Sequence, residues 1–114
     1  MVSRYVPDRG DVVWMNFSPQ AGREQAGRRP ALVLSSKAYN RKTGRCLACP
    51  VTSQIKGYPF ELRLPPGCAV QGAVLVDHVK NQDWQARRTE RAGVVRGDFA
   101  DEVADLVDAL MRGA

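Results

Sequence analysis

Apolar and polar positions along this chain of 114 residues change period repeatedly, and each change marks an element. DVVWMNF (11–17) is rich in β-branched and aromatic residues, opens after Gly10 and closes at Ser18-Pro19, which predicts a strand. A long polar loop, SPQAGREQAGRR, fills 18–29, and PALVLSS (30–36) then predicts a short apolar strand in mid-core. KAYNRKTG (37–44) is polar and ends in glycine, as a turn or one or two helical turns would. RCLACPVT (45–52) reads as a third strand whose Pro50 implies an edge or a bulge. FELRL (60–64) alternates with period two, and after the loop PPGCAVQG the stretch GAVLVDHVK (72–80) reads as another strong strand. DWQARRTERAG fits a polar hairpin or a short helix, and AGVVRG a last short strand.

The C-terminal pattern is different. Phe99, Val103, Leu106, Val107, Leu110 and Met111 recur at spacings of three and four, with Asp98 as the expected N-cap and Gly113 as the stop. Acids crowd the early turns, where the helix dipole favours them. Many short strands and one terminal helix predict a mainly β fold, a small, strongly curved sheet or barrel with the helix packed on it. One domain is expected over 1–114, with the barrel at about 1–96 and the helix at about 98–112.

Charge then separates the two parts. The net charge is +5, yet from Gly97 onward five acids face only Arg112, a balance of −4, so the first 97 residues carry +9. Such an excess on a small domain attracts polyanions, most commonly nucleic acid. No apolar run approaches the ~20 residues of a membrane span, and MVSRYVPDRGDVVW has no apolar signal core, so a cytoplasmic protein with no membrane partner is expected. Three cysteines make no disulfide framework. Cys46 and Cys49 form a CxxC within a predicted strand, where positions i and i+3 point to opposite faces, so buried hydrophobes are expected there rather than a redox or zinc pair.

No dinucleotide fingerprint, phosphate loop, HExxH or nucleophile elbow is present, and a single histidine removes the two-histidine route to RNA cleavage. Arginine, threonine and carboxylate remain. GREQAGRRPA (22–31) sets three arginines, one glutamate and two glycines before the apolar strand. A guanidinium fork matches two phosphate oxygens at once, and glycines allow close backbone approach. Glu24 would repel phosphate on a purely binding surface and is of more use as a proton acceptor. Thr52 closes the PVTSQ strand with a stiff hydroxyl, and Asp77 lies inside or closes the apolar run LVDHVKN.

These stretches, together with MVSRYVPDRGD, YNRKTG, PVTSQIKGYPFE and GAVLVDHVK with the following DWQAR, resemble the MazF/PemK (Kid) family of toxin–antitoxin endoribonucleases, for which the GxEQxGxRP core is highly specific. The resemblance implies an SH3-like barrel of the CcdB/Kid/MazF type, a homodimer, cleavage of single-stranded RNA (mRNA) at short sequences without metal or cofactor, inhibition of translation and growth, and an acidic MazE-type antitoxin. It implies Arg29 and Thr52 as chief catalytic residues, supported by Glu24, with Asp77 as the base used in the Kid branch. Leu75 and Arg23 stand where that branch has its arginine and histidine, which favours the other arrangement. Arg23, Gln25, Arg28, Ser53, Gln54 and Lys56 are expected RNA contacts, and base choice, ACA-centred in relatives, is assigned to loops near 18–28 and 53–59.

The chemistry agrees. Without metal, the substrate's own 2′-OH attacks phosphorus and leaves a 2′,3′-cyclic phosphate and a 5′-OH. Arg29 suits the phosphoryl charge. Glu24, or else Asp77, suits the 2′ proton, since arginine rarely gives one up. Two other readings stay open, a CcdB-like gyrase poison and a non-catalytic SH3-like RNA-binding module. The first lacks its C-terminal tryptophan, the second leaves the arginine loop unexplained.

Overall fold

The computed structural model of the chain describes residues 5–17 and 27–113. Seven strands, β1 (Asp11–Phe17), β2 (Gly27–Val33), β3 (Arg45–Thr52), β4 (Glu61–Arg63), β5 (Ala73–Leu75), β6 (Lys80–Asp83) and β7 (Glu90–Val94), pair antiparallel throughout. Their order is β4-β5-β3-β2-β1-β7, with β6 also on β3. Two helices, α1 (Lys37–Thr43) and α2 (Gly97–Arg112), complete it. The mainly β fold with a C-terminal helix is as the periodicity predicts.

Period two decides what the sheet buries. Val12, Leu32, Cys49 and Val51 face one cluster, which α2 closes with Phe99, Ala100 and Val103. Val13, Met15, Ala31, Val33, Cys46 and Ala48 face a second cluster, with Tyr5, Val6 and Trp84 against it. Burying β-branched and aliphatic side chains on both sheet faces contributes roughly 1.5–3 kcal/mol per large residue. α1 begins at Ser36, whose hydroxyl accepts from Tyr39 N, and ends at Gly44 in the left-handed region. Inside it Asn40 is fully buried, donating to Pro7 O at 2.8 Å and Ser35 O at 3.1 Å.

Four expectations change. β2 starts at Gly27, so Arg28 and Arg29 lie on a strand instead of in the loop before it. Arg96, without a side-chain cap bond, precedes α2, and Asp98 sits in the first turn with its carboxylate accepting from Phe99 N at 2.9 Å. Segment 84–89 is a turn between β6 and β7, which pair with β3 and β1 and not with each other, so it is neither a hairpin nor a short helix.

The fourth change is the largest. GAVLVDHVK is not one strand: β5 ends at Leu75, Val76–His78 form a 3₁₀ turn, and β6 begins at Lys80. β5 and β6 lie along the same edge of β3, at Thr52↔Ala73 and Val51↔Val74, then at Ala48↔Lys80 onward. Five residues, 75–79, therefore stand against Cys49 and Pro50 alone. Leu34 N donates to Leu47 O at 2.8 Å, so odd positions of β3 bond toward β2 and even ones, Pro50 included, turn to the other edge. Pro50 has no N–H for that edge, so the opposing chain leaves the sheet there. The proline marks a change of partner within a central strand, not an edge strand.

Candidate active site

That excursion builds a site. The 3₁₀ turn carries Asp77 outward while Val76 stays buried, and Cys49 Sγ lies 3.8 Å from Val76 O beneath it. Thr52 is buried at the end of β3, its Oγ1 accepting from Gln54 N at 3.1 Å. This bond turns the chain out of the sheet and into the exposed stretch 53–59. Between these elements lies a groove of about 420 Å³ lined by Thr52, Gln54, Lys56, Tyr58, Asp77 and His78 among others. Gly72 fits the backbone tightly against Thr52: a Cβ there would stand 2.3 Å from Thr52 O, at a φ of +137°. Only glycine lets β5 approach this closely.

Arg29 reaches the same end from β2. The β2–β3 register runs from Val33↔Ala48 to Ala31↔Pro50, so Arg29 lies two residues beyond the paired stretch on β2 and Thr52 two residues beyond it on β3. Alternation along β2 puts Arg29 on the face of Ala31 and Val33 and sends Arg28 to the opposite face. Arg29 is exposed. Arg28 turns toward β1 and β7, donating to Asn16 Oδ1 and Arg88 O, each at 3.0 Å, and pairing with Glu90. The structure thus brings together Thr52, Asp77, Gln54 and Lys56 in one groove, keeps Arg29 exposed on β2, and leaves Arg28 elsewhere. Ser53 is exposed beside Thr52. Arg23, Glu24 and Gln25 lie outside the described residues.

Sequence reasoning missed Tyr58, Glu61 and His78 in this groove. The signal for two of them was the KGYPFE stretch, where a glycine and an aromatic precede a carboxylate at turn spacing. The CxxC reading holds: Cys46 and Cys49 are fully buried in different clusters on opposite faces. Burial pushes both thiols up to about 12, and the charge of Asp77 adds to the rise at Cys49. Neither is a thiolate at neutral pH. Among the described residues no three His, Cys, Asp or Glu side chains stand close enough to hold a metal ion. Of the tryptophans, Trp84 is core, its Nε1 donating to Asn40 O at 2.9 Å, whereas Trp14 is 39% exposed. No described helix is long and apolar enough to cross a membrane.

With this geometry in hand, comparison with known proteins is specific. Residues 8–111 match the family model of the PemK-like, MazF-like toxin of type II toxin–antitoxin systems. The endoribonuclease toxin MazF of Escherichia coli K12 is 55% identical over 109 residues, covering 96% of this chain and 94% of that protein. The endoribonuclease toxin ChpB of the same strain is 39% identical, covering 98% and 95%. The crystal structure of MazF from Deinococcus radiodurans superposes with a TM-score of 0.89 at 54% identity, covering 94% and 97%. A MazE–MazF structure from that organism gives 0.85 at 52%, with the same coverage. This chain belongs to the PemK-like, MazF-like toxin family of type II toxin–antitoxin systems.

Proposed function

We propose that the protein is the toxin of a type II toxin–antitoxin pair and acts as a sequence-specific, metal-independent endoribonuclease on single-stranded RNA in the cytoplasm, arresting translation and growth. The family membership supports the class of activity. The observation that supports the mechanism is the groove that brings Thr52, at the end of β3, together with Asp77, while Arg29 is exposed on the neighbouring strand β2.

In this reading the RNA backbone lies across the two strand ends. The 2′-OH of the scissile nucleotide attacks the adjacent phosphorus while a carboxylate takes its proton. The P–O5′ bond breaks, the leaving 5′-oxygen takes a proton from water, and a 2′,3′-cyclic phosphate and a 5′-OH result. Arg29 faces the phosphoryl oxygens as their charge grows, which is often the largest single catalytic contribution. The Thr52 hydroxyl accepts from Gln54 N and keeps its own proton to donate to a phosphoryl oxygen. Two carboxylates can take the 2′ proton, Glu24 and Asp77. Asp77 lines the groove and, among the described residues, makes no hydrogen bond or ion pair. Glu24→Gln and Asp77→Asn distinguish them, since the base variant loses turnover without losing RNA affinity.

The partners follow from the same charge. Relatives form MazE–MazF complexes, and a body carrying +9 up to residue 97 suits an acidic MazE-type antitoxin on a homodimer. Exposed Trp14 is then the available tryptophan anchor, because Trp84 is enclosed. A gyrase poison and a non-catalytic RNA-binding module fall behind, since the named relatives are endoribonucleases.

The test is cleavage of single-stranded RNA in excess EDTA, with a matched oligonucleotide carrying 2′-deoxyribose at the scissile nucleotide. Cutting of the first and resistance of the second are expected. Cutting of both would remove the 2′-OH mechanism, and cutting of neither would remove the ribonuclease itself.

A further inference from the structure

Glu61 opens β4, yet its side chain turns back on the loop before it. Its Oε1 accepts from three consecutive backbone N–H groups, Lys56 at 2.9 Å, Gly57 at 2.7 Å and Tyr58 at 3.3 Å. Successive N–H groups converging on one oxygen form an anion-holding concavity, here filled by the chain's own carboxylate. Gly57 has φ +81° with open space around a Cβ, so the left-handed backbone itself requires the glycine. Glu61 N donates to Tyr58 O at 3.1 Å, and Phe60 O accepts from Val76 N at 2.9 Å. The loop is thereby fixed at one end by Thr52 and at the other by the turn that carries Asp77.

What this fixed loop presents is unusual for its size. Tyr58 is 61% exposed, the most exposed aromatic among the described residues, while its neighbour Phe60 packs on the core. Tyr58 and Lys56 line the same groove as Asp77 and His78. An exposed ring on a braced backbone beside a cation is the arrangement that stacks an unpaired base and holds the phosphate next to it.

We infer that Tyr58 is the stacking platform for an unpaired base flanking the scissile nucleotide, and that Glu61 is a positioning residue that holds Tyr58 and Lys56 in place through the 56–58 backbone. The inference deepens the ribonuclease reading and rests on it. Tyr58 would touch substrate and Glu61 would not, so their variants differ in kind. Removing a stacked base partner weakens binding by roughly 10-fold or more and leaves the bond-breaking groups in place.

The probe is a single-stranded oligoribonucleotide carrying a site mapped with the parent protein by sequencing RNA 5′ ends. Tyr58→Ala is expected to raise KM at least about 10-fold with kcat within about 3-fold, and Tyr58→Phe to match the parent, because stacking needs the ring and not the hydroxyl. Glu61→Ala should raise KM similarly, and Glu61→Gln, which keeps an acceptor oxygen, should recover most of it. The Tyr58→Ala/Glu61→Ala double variant should be no worse than about the weaker single, since both act through one contact.

Parental KM for Tyr58→Ala would overturn the platform, as would a loss confined to kcat. Additive effects in the double variant would overturn the positioning role of Glu61. Tyr58 is exposed, so its variant folds and decides the first point even if Glu61→Ala unfolds. Failure of the parent to cut any RNA would instead overturn the function on which the inference stands.

Discussion

Two aspartates at opposite ends of the sheet show how one side chain serves two purposes. Asp11 opens β1 and is buried, and its carboxylate is used up: Tyr5 Oη donates to Oδ2 at 2.6 Å, Asp8 N donates to the same atom at 3.0 Å, and Arg91 lies 3.7 Å from Oδ1. Asp77 is exposed on a groove wall, and among the described residues it has neither a hydrogen bond nor an ion pair. A buried carboxylate with every partner in place holds the N-terminal segment to the sheet. An exposed one beside a hydroxyl-bearing strand end is open to a ligand. Both ends have a concavity, about 440 Å³ around Asp11 and about 420 Å³ around Asp77, so volume does not separate them. Satisfaction of the polar groups does.

The comparison breaks or sharpens under substitution, and the largest effect belongs to the groove end. Arg29→Ala should lower kcat by ~10²–10³ or more while leaving the melting temperature near the parent's, with Thr52→Ala somewhat milder. Steady-state cleavage and a thermal melt check both halves, and near-normal turnover in Arg29→Ala would remove Arg29 from the chemistry.

At the other end the signs reverse. Asp11→Ala removes the carboxylate that accepts from the Tyr5 hydroxyl and from Asp8 N, and should cost about 1–3 kcal/mol in urea unfolding. Asp77→Asn should stay within about 0.5 kcal/mol of the parent, as an exposed change does. Equal losses at the two aspartates would erase the distinction drawn here.

Gly72→Ala tests whether close backbone approach positions Thr52. The added Cβ meets Thr52 O at 2.3 Å, so stability should fall by about 2 kcal/mol and cleavage should fall further than that loss explains. Full activity would mean that the end of β3 yields without consequence.

The last effect is a slope at alkaline pH. Burial raises Cys46 and Cys49 to about 12 in the folded chain, and desolvation with the Asp11 hydrogen bond raises Tyr5 above its ordinary range. Raised groups keep their protons in the folded state while the unfolded chain loses them. Stability is therefore full below about pH 9 and falls as pH rises from there toward 12, by at most ~1.4 kcal/mol per pH unit for each thiol. Unfolding titrations of Cys46→Ala and Cys49→Ala should each show a shallower alkaline slope.

Much of this was legible in residue order alone. The β-branched and aromatic residues of 11–17 after Gly10 marked β1, Gly44 and Gly113 closed the two helices as left-handed caps, and the i, i+3 spacing of Cys46 and Cys49 sent them to opposite faces. Each is local, set by alternation or by one residue's φ, so no distant partner could change it. Thr52 was legible as the end of a strand, and it closes β3.

Only the tertiary structure decided where the 72–80 run breaks. Its apolar residues suit a strand throughout, and the reason it leaves the sheet lies more than twenty residues earlier, in the missing N–H of Pro50. The same holds for the two adjacent arginines: sequence gives identical side chains, but Asn16, Arg88 and Glu90 engage Arg28, while alternation puts Arg29 on the other face of β2. Glu61 was unreadable for a similar reason. A carboxylate in a period-two segment reads as the wet face of a strand, until the loop folds three N–H groups onto it. Periodicity records which face a residue takes, whereas pairing partners and backbone donors arrive from elsewhere in the chain, and the site is made of those.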